Sequence, residues 1–522
     1  MTDQIKHFFQ GLTNNQDSIE LAVKIQQAIE EGHTAINYHS LIKDDCISDD
    51  GSSGYLVIKG KRAGFRRFYN QETILKNAFC NKQTISLDKK AVQQAISSII
   101  NNSDLTSKQE IDWQWQACLS ALTHKYFILD GGPGTGKTTT IVRLLLLYIQ
   151  LYPDNKIMLA APTGKAANRM SQSLNQNLTQ IDLDEESKSK LQIQAKTIHR
   201  LLGYNPKTNK LKFNKNQPLS YDLIIIDESS MLDVSLSFCL VNALKDGAQL
   251  IFIGDKNQLP AVDAGNVFAD LCTLLAQDSE QKNLLTSYLE QNNKIPNSTN
   301  YVKLIKNYRF KQNSIVAKLC NTLTKQDVEQ FNDLKTDENF HLNNPQNKQD
   351  KLESLKQWYD SINLTESKII LCATNKGTNS VTELNELAKA ILHNQQELAS
   401  NTPIIVNKND YNLDVYNGDM GTLQMHNNQW HVPFIIEGKE QLIQLQALNW
   451  QIAHAISIHK SQGSEYDHVL ITLSENIEQD LLTNALLYTA ISRAKKSITL
   501  WANDKIIAKT IKNQSNRLTF LK

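Results

Sequence analysis

The string Gly131-Gly132-Pro133-Gly134-Thr135-Gly136-Lys137-Thr138 constrains this chain more than any other feature. It follows an apolar run at 126–129 and precedes a helix-compatible stretch at 139–149. Glycines let backbone N–H groups turn inward around phosphate oxygens, and the helix that follows presents its positive end. In that setting Lys137 neutralises the β- and γ-phosphates of a nucleotide, Thr138 ligates Mg²⁺, and Thr139 continues the cradle. The competing reading is a glycine-rich turn. Only 20 of 522 residues are glycine, so four within six positions stand out, and the flanking strand and helix favour the phosphate loop.

Further along, 223–226 is an apolar run ending in Asp227 and Glu228. Alone, such a run reads equally as a solvated strand end. Paired with the phosphate loop, Asp227 is expected to hold Mg²⁺ and Glu228 to polarise an attacking water. A third run, 250–253, leads into Gly254-Asp255-Lys256-Asn257-Gln258, where Gln258 is a candidate γ-phosphate sensor. Strand-like runs at 127–129, 157–160, 223–226, 250–253, 369–371, 469–473 and 498–500 alternate with helical segments. That alternation predicts an α/β fold with parallel sheets, and ligands at the carboxyl ends of the strands.

Composition removes several classes. Lys+Arg total 55 and Asp+Glu 54, so the chain is not a globally basic nucleic-acid binder, although a local basic track is compatible with that balance. Seven scattered cysteines with no CxxC pair argue against a zinc or iron–sulfur site and for free thiols in the cytoplasm. The first residues lack the pattern of a signal peptide, and no apolar run is long enough to span a bilayer, so no membrane association is expected.

The organisation expected is a mainly helical N-terminal domain over 1–105, then two α/β domains over 106–295 and 296–522. Within the first lies an excursion at about 204–220 carrying Lys207, Lys210, Lys212 and Lys215. Within the second, 402–450 alternates with turn signals at Asn417-Gly418, Asn427-Asn428 and Glu437-Gly438, reading as a small antiparallel β insert. The stretch 62–69 is basic and aromatic, suited to single-stranded nucleic acid or, preferably, to protein docking.

Ten ordered strings decide among nucleotide hydrolases. They include GGPGTGKTTT (131–140), LAAPTGKAANRM (159–170), TIHRLLG (197–203), IIIDESSMLD (224–233), GDKNQLPAVDAG (254–265), YRF (308–310), NGDMG (417–421), SIHKSQGSEYDHV (457–469) and YTAISRA (488–494), with Asp112-Trp113-Gln114 ahead of them. Their order and wording resemble the superfamily 1 DNA helicases. The resemblance implies two RecA-like motor domains, a small β-barrel insert, ATP as fuel with Mg²⁺, and 5′→3′ travel on single-stranded DNA drawn from duplex ends. It implies that Gln114 reads adenine, and that Arg309 and Arg493 reach the γ-phosphate from the second motor domain. Glu465 is similar to the acid at the nucleotide ribose, with Gln462 and Gly463 lining the same cleft. Thr163, Gly164, Lys165 and His199, and in the second domain His459, Lys460 and Ser461, match positions that contact the DNA backbone. Each of these residues has a capping, surface or ion-pair role as its alternative. The resemblance further implies two partner subunits in a heterotrimer, docked through 1–105, with any nuclease on a partner, since no nuclease acid cluster is evident here. A stand-alone DNA or RNA motor of the same superfamily, or a mainly regulatory motor subunit, remains open at this point.

Overall fold

The computed structural model describes residues 1–81, 83–99, 112–179, 185–276, 284–289, 299–308, 314–393, 396–410, 412–436, 439–475, 477 and 481–521. Two parallel sheets dominate it. The first has six strands in the order Tyr301–Leu304, Tyr126–Gly131, Gln249–Gly254, Leu223–Ile226, Ile157–Ala161 and Lys196–Thr197. The second has five, in the order Phe340–Asn343, Ala494–Trp501, Tyr466–Thr472, Lys368–Cys372 and Ala455–Ser457. All seven strand-like runs fall in these sheets, four in the first and three in the second. Their central strands read as unbroken apolar runs because helices cover both faces.

Parallel pairing has a consequence for the site. Strands Tyr126–Gly131, Leu223–Ile226 and Gln249–Gly254 run side by side in the same direction. Their carboxyl ends therefore deliver the phosphate loop, Asp227-Glu228 and Asp255–Gln258 to one edge. The first sheet also takes Tyr301–Leu304, which pairs with 128–131 and lies beyond the division expected at 295. Most of the stretch 277–298 around that division lies outside the described residues.

The N-terminal region begins with two helices, Thr2–Gln10 and Gln16–Glu30, packed on a four-stranded sheet through Phe9, Leu21, Ile25 and Leu56. The helix Arg66–Cys80 then packs Phe68, Leu75 and Phe79 among Ile128, Phe252 and Phe268 of the first motor domain. Helix Lys89–Ile99 sets Val92 and Ile96 against the core around Leu144 and Leu145. The basic-aromatic stretch 62–69 is thus largely consumed internally: Ala63 and Phe68 are buried, and Arg67 lies over the Phe68 ring at 4.5 Å. Arg67 itself is exposed, and Arg62, Phe65, Arg66 and Tyr69 are half-buried.

The excursion from the first motor domain carries two isolated antiparallel bridges, Asn205↔Lys210 and Asn214↔Gln217, and keeps its four lysines exposed. The β insert is two three-stranded antiparallel sheets around Ile404, Val406, Leu423, Val432 and Ile443, not one continuously hydrogen-bonded barrel among the described residues. Asn427 and Asn428 both take positive φ, the turn that a two-residue hairpin needs. Glu437-Gly438 lies outside the described residues.

After the last helix, Asp504–Lys512, the tail crosses back to the first motor domain. The carbonyl of Leu518 accepts from the N–H groups of Thr34 and Ala35. Thr519 Oγ1 donates to Asp270 at 2.7 Å, and the Phe520 N–H donates to Glu72 at 2.6 Å. Leu521 is fully buried in the core that holds Phe268.

Candidate nucleotide cleft and DNA track

The phosphate loop is shaped by contacts that exclude side chains. Gly134 and Gly136 have φ of 75° and 85°, a region that L side chains rarely enter. A Cβ on Gly131 would come within 2.6 Å of Thr135 Oγ1, and one on Gly136 would strike the Gln114 amide nitrogen. Gly136 caps the helix Lys137–Leu151 without a side-chain hydrogen bond, so the first amides stay available to an anion. Lys137 Nζ lies across the loop, donating to the carbonyls of Gly131 at 2.7 Å and Gly132 at 3.2 Å. Thr135 Oγ1 donates to the Gly132 carbonyl at 2.8 Å and braces the loop.

Asp227 and Glu228 follow directly on their strand. Burial and the neighbouring Glu228 charge both raise the Asp227 carboxyl, against the pull of Lys137. Glu228 adopts φ 52° although it is not glycine, and its N–H donates to Asp227 Oδ1 at 2.9 Å. A bulky residue held left-handed is strained, and such strain concentrates at working sites. Asp255 is buried and pushed up to about 6 by desolvation, again opposed by Lys137. Gln258 Nε2 donates to Asp255 Oδ2 at 3.4 Å, while Gln258 Oε1 is buried, lines the cleft and has no hydrogen-bond partner among the described residues.

The second motor domain closes the opposite wall. Arg493 is 4% exposed; its Nε donates to the Thr489 carbonyl at 3.0 Å and Nη1 to the Ser464 carbonyl at 3.2 Å. Gln462 Nε2 donates to the Leu259 carbonyl at 3.3 Å, and the Leu259 N–H donates to Thr489 Oγ1 at 2.9 Å. Gly132, Pro133, Gly134, Gly136, Lys137, Thr138, Thr139, Asp227, Glu228, Gln258, Gly463, Glu465 and Arg493 surround one cleft of about 390 Å³. Gly131 and Thr135 sit behind the loop, and Gln114 lies over Gly136. Arg309 lies outside the described residues, but Tyr308 beside it donates its N–H to the Gly134 carbonyl at 2.8 Å.

Three cleft residues escaped the sequence reading. Tyr308 presents a half-exposed ring near Gln114, fit to stack on a base. Its one signal was its place in the YRF string. Tyr488 donates to Asp255, and Arg169 lines the cleft from the helix Gly164–Leu178. Arg169 stands in the string LAAPTGKAANRM, which is read only for Thr163, Gly164 and Lys165.

The residues expected on the DNA side divide. His199 is exposed, edge-on to Tyr204 with ring centroids 5.5 Å apart. His459 is exposed, and Lys460 Nζ donates to Asn407 Oδ1 at 2.9 Å. Thr163 Oγ1 caps the helix Gly164–Leu178 by accepting from the Ala166 N–H. Gly164 lies under the Tyr416 ring of the β insert, where a Cβ would clash. Lys165 is drawn down to about 8 by burial against the partly compensating Asp419, and its ammonium makes no hydrogen bond among the described residues. Ser461 is fully buried and donates to the Ile458 carbonyl at 2.6 Å. In this arrangement the insert covers Gly164 and Lys165, and the Ser461 hydroxyl faces inward.

Residues 114–264 match the family described as an AAA domain, and 452–501 match the UvrD-like helicase C-terminal domain. The chain is 28% identical over 559 residues to the RecBCD enzyme subunit RecD of Buchnera aphidicola from Acyrthosiphon pisum, covering 99% of this chain and 91% of that protein. It is 28% identical to the RecBCD enzyme subunit RecD of Haemophilus influenzae, covering 84% and 76%. The Bacteroides Pif1 helicase crystallised with ADP-AlF3 and single-stranded DNA is 19% identical over 81% of this chain and 94% of that one, with a TM-score of 0.41. Two parallel sheets clasp one phosphate loop, with an arginine from the second at its mouth. Together with that geometry, the two matched families and the RecD relatives support a RecD-like superfamily 1 helicase.

Proposed function

We propose that this chain is an ATP-dependent DNA helicase that moves 5′→3′ on single-stranded DNA taken from duplex ends. It serves as the RecD-like subunit of a RecBCD-type exodeoxyribonuclease V, in recombinational repair of double-strand breaks. The observation that carries this reading is the meeting of Lys137, Asp227, Glu228 and Gln258 with Arg493 around one cleft between two motor domains. The relatives named as RecBCD subunits support the partner assignment, to RecB-like and RecC-like chains in a heterotrimer in the cytoplasm.

In this reading Gln114 and Tyr308 hold the adenine, one by its amide and one by its ring. Lys137 gives up its two loop carbonyls to the β- and γ-phosphates. Thr138 and Asp227 offer hard oxygen ligands that fit Mg²⁺, which supplies further neutralisation of phosphate charge when bound. Glu228 takes the proton of the attacking water, and Gln258 Oε1, without a partner among the described residues, orients that water against the γ-phosphate. Arg493, with Arg309 by family resemblance, stabilises charge spread over the transferring oxygens. Loss of the γ-phosphate removes one of the links between the two domains and shifts the balance toward an open cleft.

The exposed His199 and the lysines of 204–220 give a sequence-independent grip on phosphates. Lys165 joins them when the insert lifts away. Docking falls to residues 1–105, where Phe8 and Tyr55 stand edge to face, each about half exposed. The test is strand displacement by the chain assembled with its partners, on duplexes with a 5′ or a 3′ single-stranded tail. Unwinding from the 5′ tail alone, lost in Lys137→Gln, is expected. Unwinding from the 3′ tail alone would overturn the direction, and equal stimulation by RNA tails would favour the RNA motor.

A further inference from the structure

Arg169 leaves the first motor domain and takes hold of the second. Its Nη1 donates to the Gly463 carbonyl, and its Nη2 pairs with the Glu465 carboxylate. The next carbonyl along, that of Ser464, accepts from Arg493 Nη1 at 3.2 Å. Two arginines from opposite domains therefore grip adjacent carbonyls of one loop. Gly463 has φ 72°, and a Cβ there would lie 3.9 Å from both Ala166 and Glu228 Oε1, so the loop runs along the same helix and beside the general base.

The helix links this grip to the DNA side. Lys165 and Arg169 are four residues apart on Gly164–Leu178 and share a face. Arg169 lines the nucleotide cleft and also a neighbouring cavity of about 520 Å³, bounded by Lys165, Asp419 and Tyr466. Arg169, Gly463 and Glu465 line both spaces.

We infer that Arg169 is a positioning residue: it sets the loop that orients Arg493, and ties that setting to the helix carrying Thr163, Gly164 and Lys165. This rests on the cleft being the nucleotide site. Arg169 is 40% exposed on its side chain, so its ion pair adds little to folding stability. What it fixes is geometry, and small misplacements at a reacting centre cost rate more than affinity.

The experiment compares Arg169→Ala, Arg169→Lys and Lys137→Gln in the assembled complex. It reads kcat and KM of DNA-stimulated ATP hydrolysis and equilibrium binding of a fluorescent ATP analogue. Arg169→Ala should lower kcat at least about tenfold while KM and analogue affinity stay within about twofold. Arg169→Lys keeps a cationic donor and should recover part of the loss. Should the alanine variant fold poorly, Arg169→Gln carries the same comparison. Wild-type kcat in Arg169→Ala, with Lys137→Gln inactive, overturns the inference. An equal fall in analogue affinity also overturns it, by making Arg169 a direct nucleotide contact. Retained turnover in Lys137→Gln would instead remove the nucleotide reading, and is read separately.

Discussion

The hydroxyl of Tyr488 donates to Asp255 Oδ2 at 2.9 Å, a buried hydrogen bond that joins the second motor domain to the first. Asp255, pushed up to about 6 by desolvation, also receives Gln258 Nε2 on the same oxygen at 3.4 Å, so Tyr488 is the closer of its two side-chain donors. Removing the donor leaves a buried acceptor underserved, at a cost of about 1–3 kcal/mol. Because the bond crosses the cleft, the cost falls on the closed arrangement. Tyr488→Phe should weaken binding of a non-hydrolysable ATP analogue by about 5- to 150-fold. Titration calorimetry reads this, and unchanged affinity would mean the bond is absent from the nucleotide-bound state.

Lys137→Gln should abolish DNA-stimulated ATP hydrolysis, by at least about 100-fold, through loss of charge aimed at the phosphates. Among the described residues Lys137 donates to two loop carbonyls, and its charge offsets the buried Asp227 and Asp255 carboxyls. Both roles are local to the cleft, so co-purification with partner subunits should be unchanged. Wild-type turnover would refute the site assignment.

Arg493→Ala should keep ATP binding and lose hydrolysis, by about 10³–10⁵ if it acts on the transition state alone. Single-turnover hydrolysis set beside analogue binding separates the two. Equal losses in both would mark Arg493 as a structural strut, a role that its bonds to Thr489 and Ser464 would allow.

Glu72 gives a pH signature. Burial raises its carboxyl to about 7 from an ordinary 4.5, with nearby Asp270 adding to the rise and Thr34 and Phe520 opposing it. The folded chain therefore holds a proton there that the unfolded chain has lost, so stability falls as pH rises from about 4.5 through about 7. Glu72→Gln should flatten that part of the curve. Melting temperatures of both proteins between pH 5 and 8 decide it; parallel curves would mean that Glu72 does not carry the effect.

Local signals reported most of the motor. Four glycines, a lysine and a threonine around one strand end announced the phosphate loop, because its chemistry is built from neighbours in sequence. The apolar runs announced strands, because both faces of a parallel sheet are covered. What escaped was non-local. Nothing beside Arg169 in the sequence marks its hold on Gly463 and Glu465, and nothing near Tyr416 marks its seat on Gly164. The burial of Ala63 and Phe68 within 62–69 was not legible, because a basic-aromatic pattern looks the same whether it faces a partner or the chain's own core. Lys165 matched a surface motif, yet the insert covers it.

The returning tail changes what kind of machine the two domains make. The second motor domain is joined to the first by the chain leaving Leu304, and again where Thr519 meets Asp270, with Leu518 and Phe520 held by Thr34 and Glu72 of the N-terminal region. A body pinned at one point can tumble, whereas one pinned at two can only swing about the line between them. Any opening of the cleft must therefore carry both crossings with it, which narrows the movements left to the second domain.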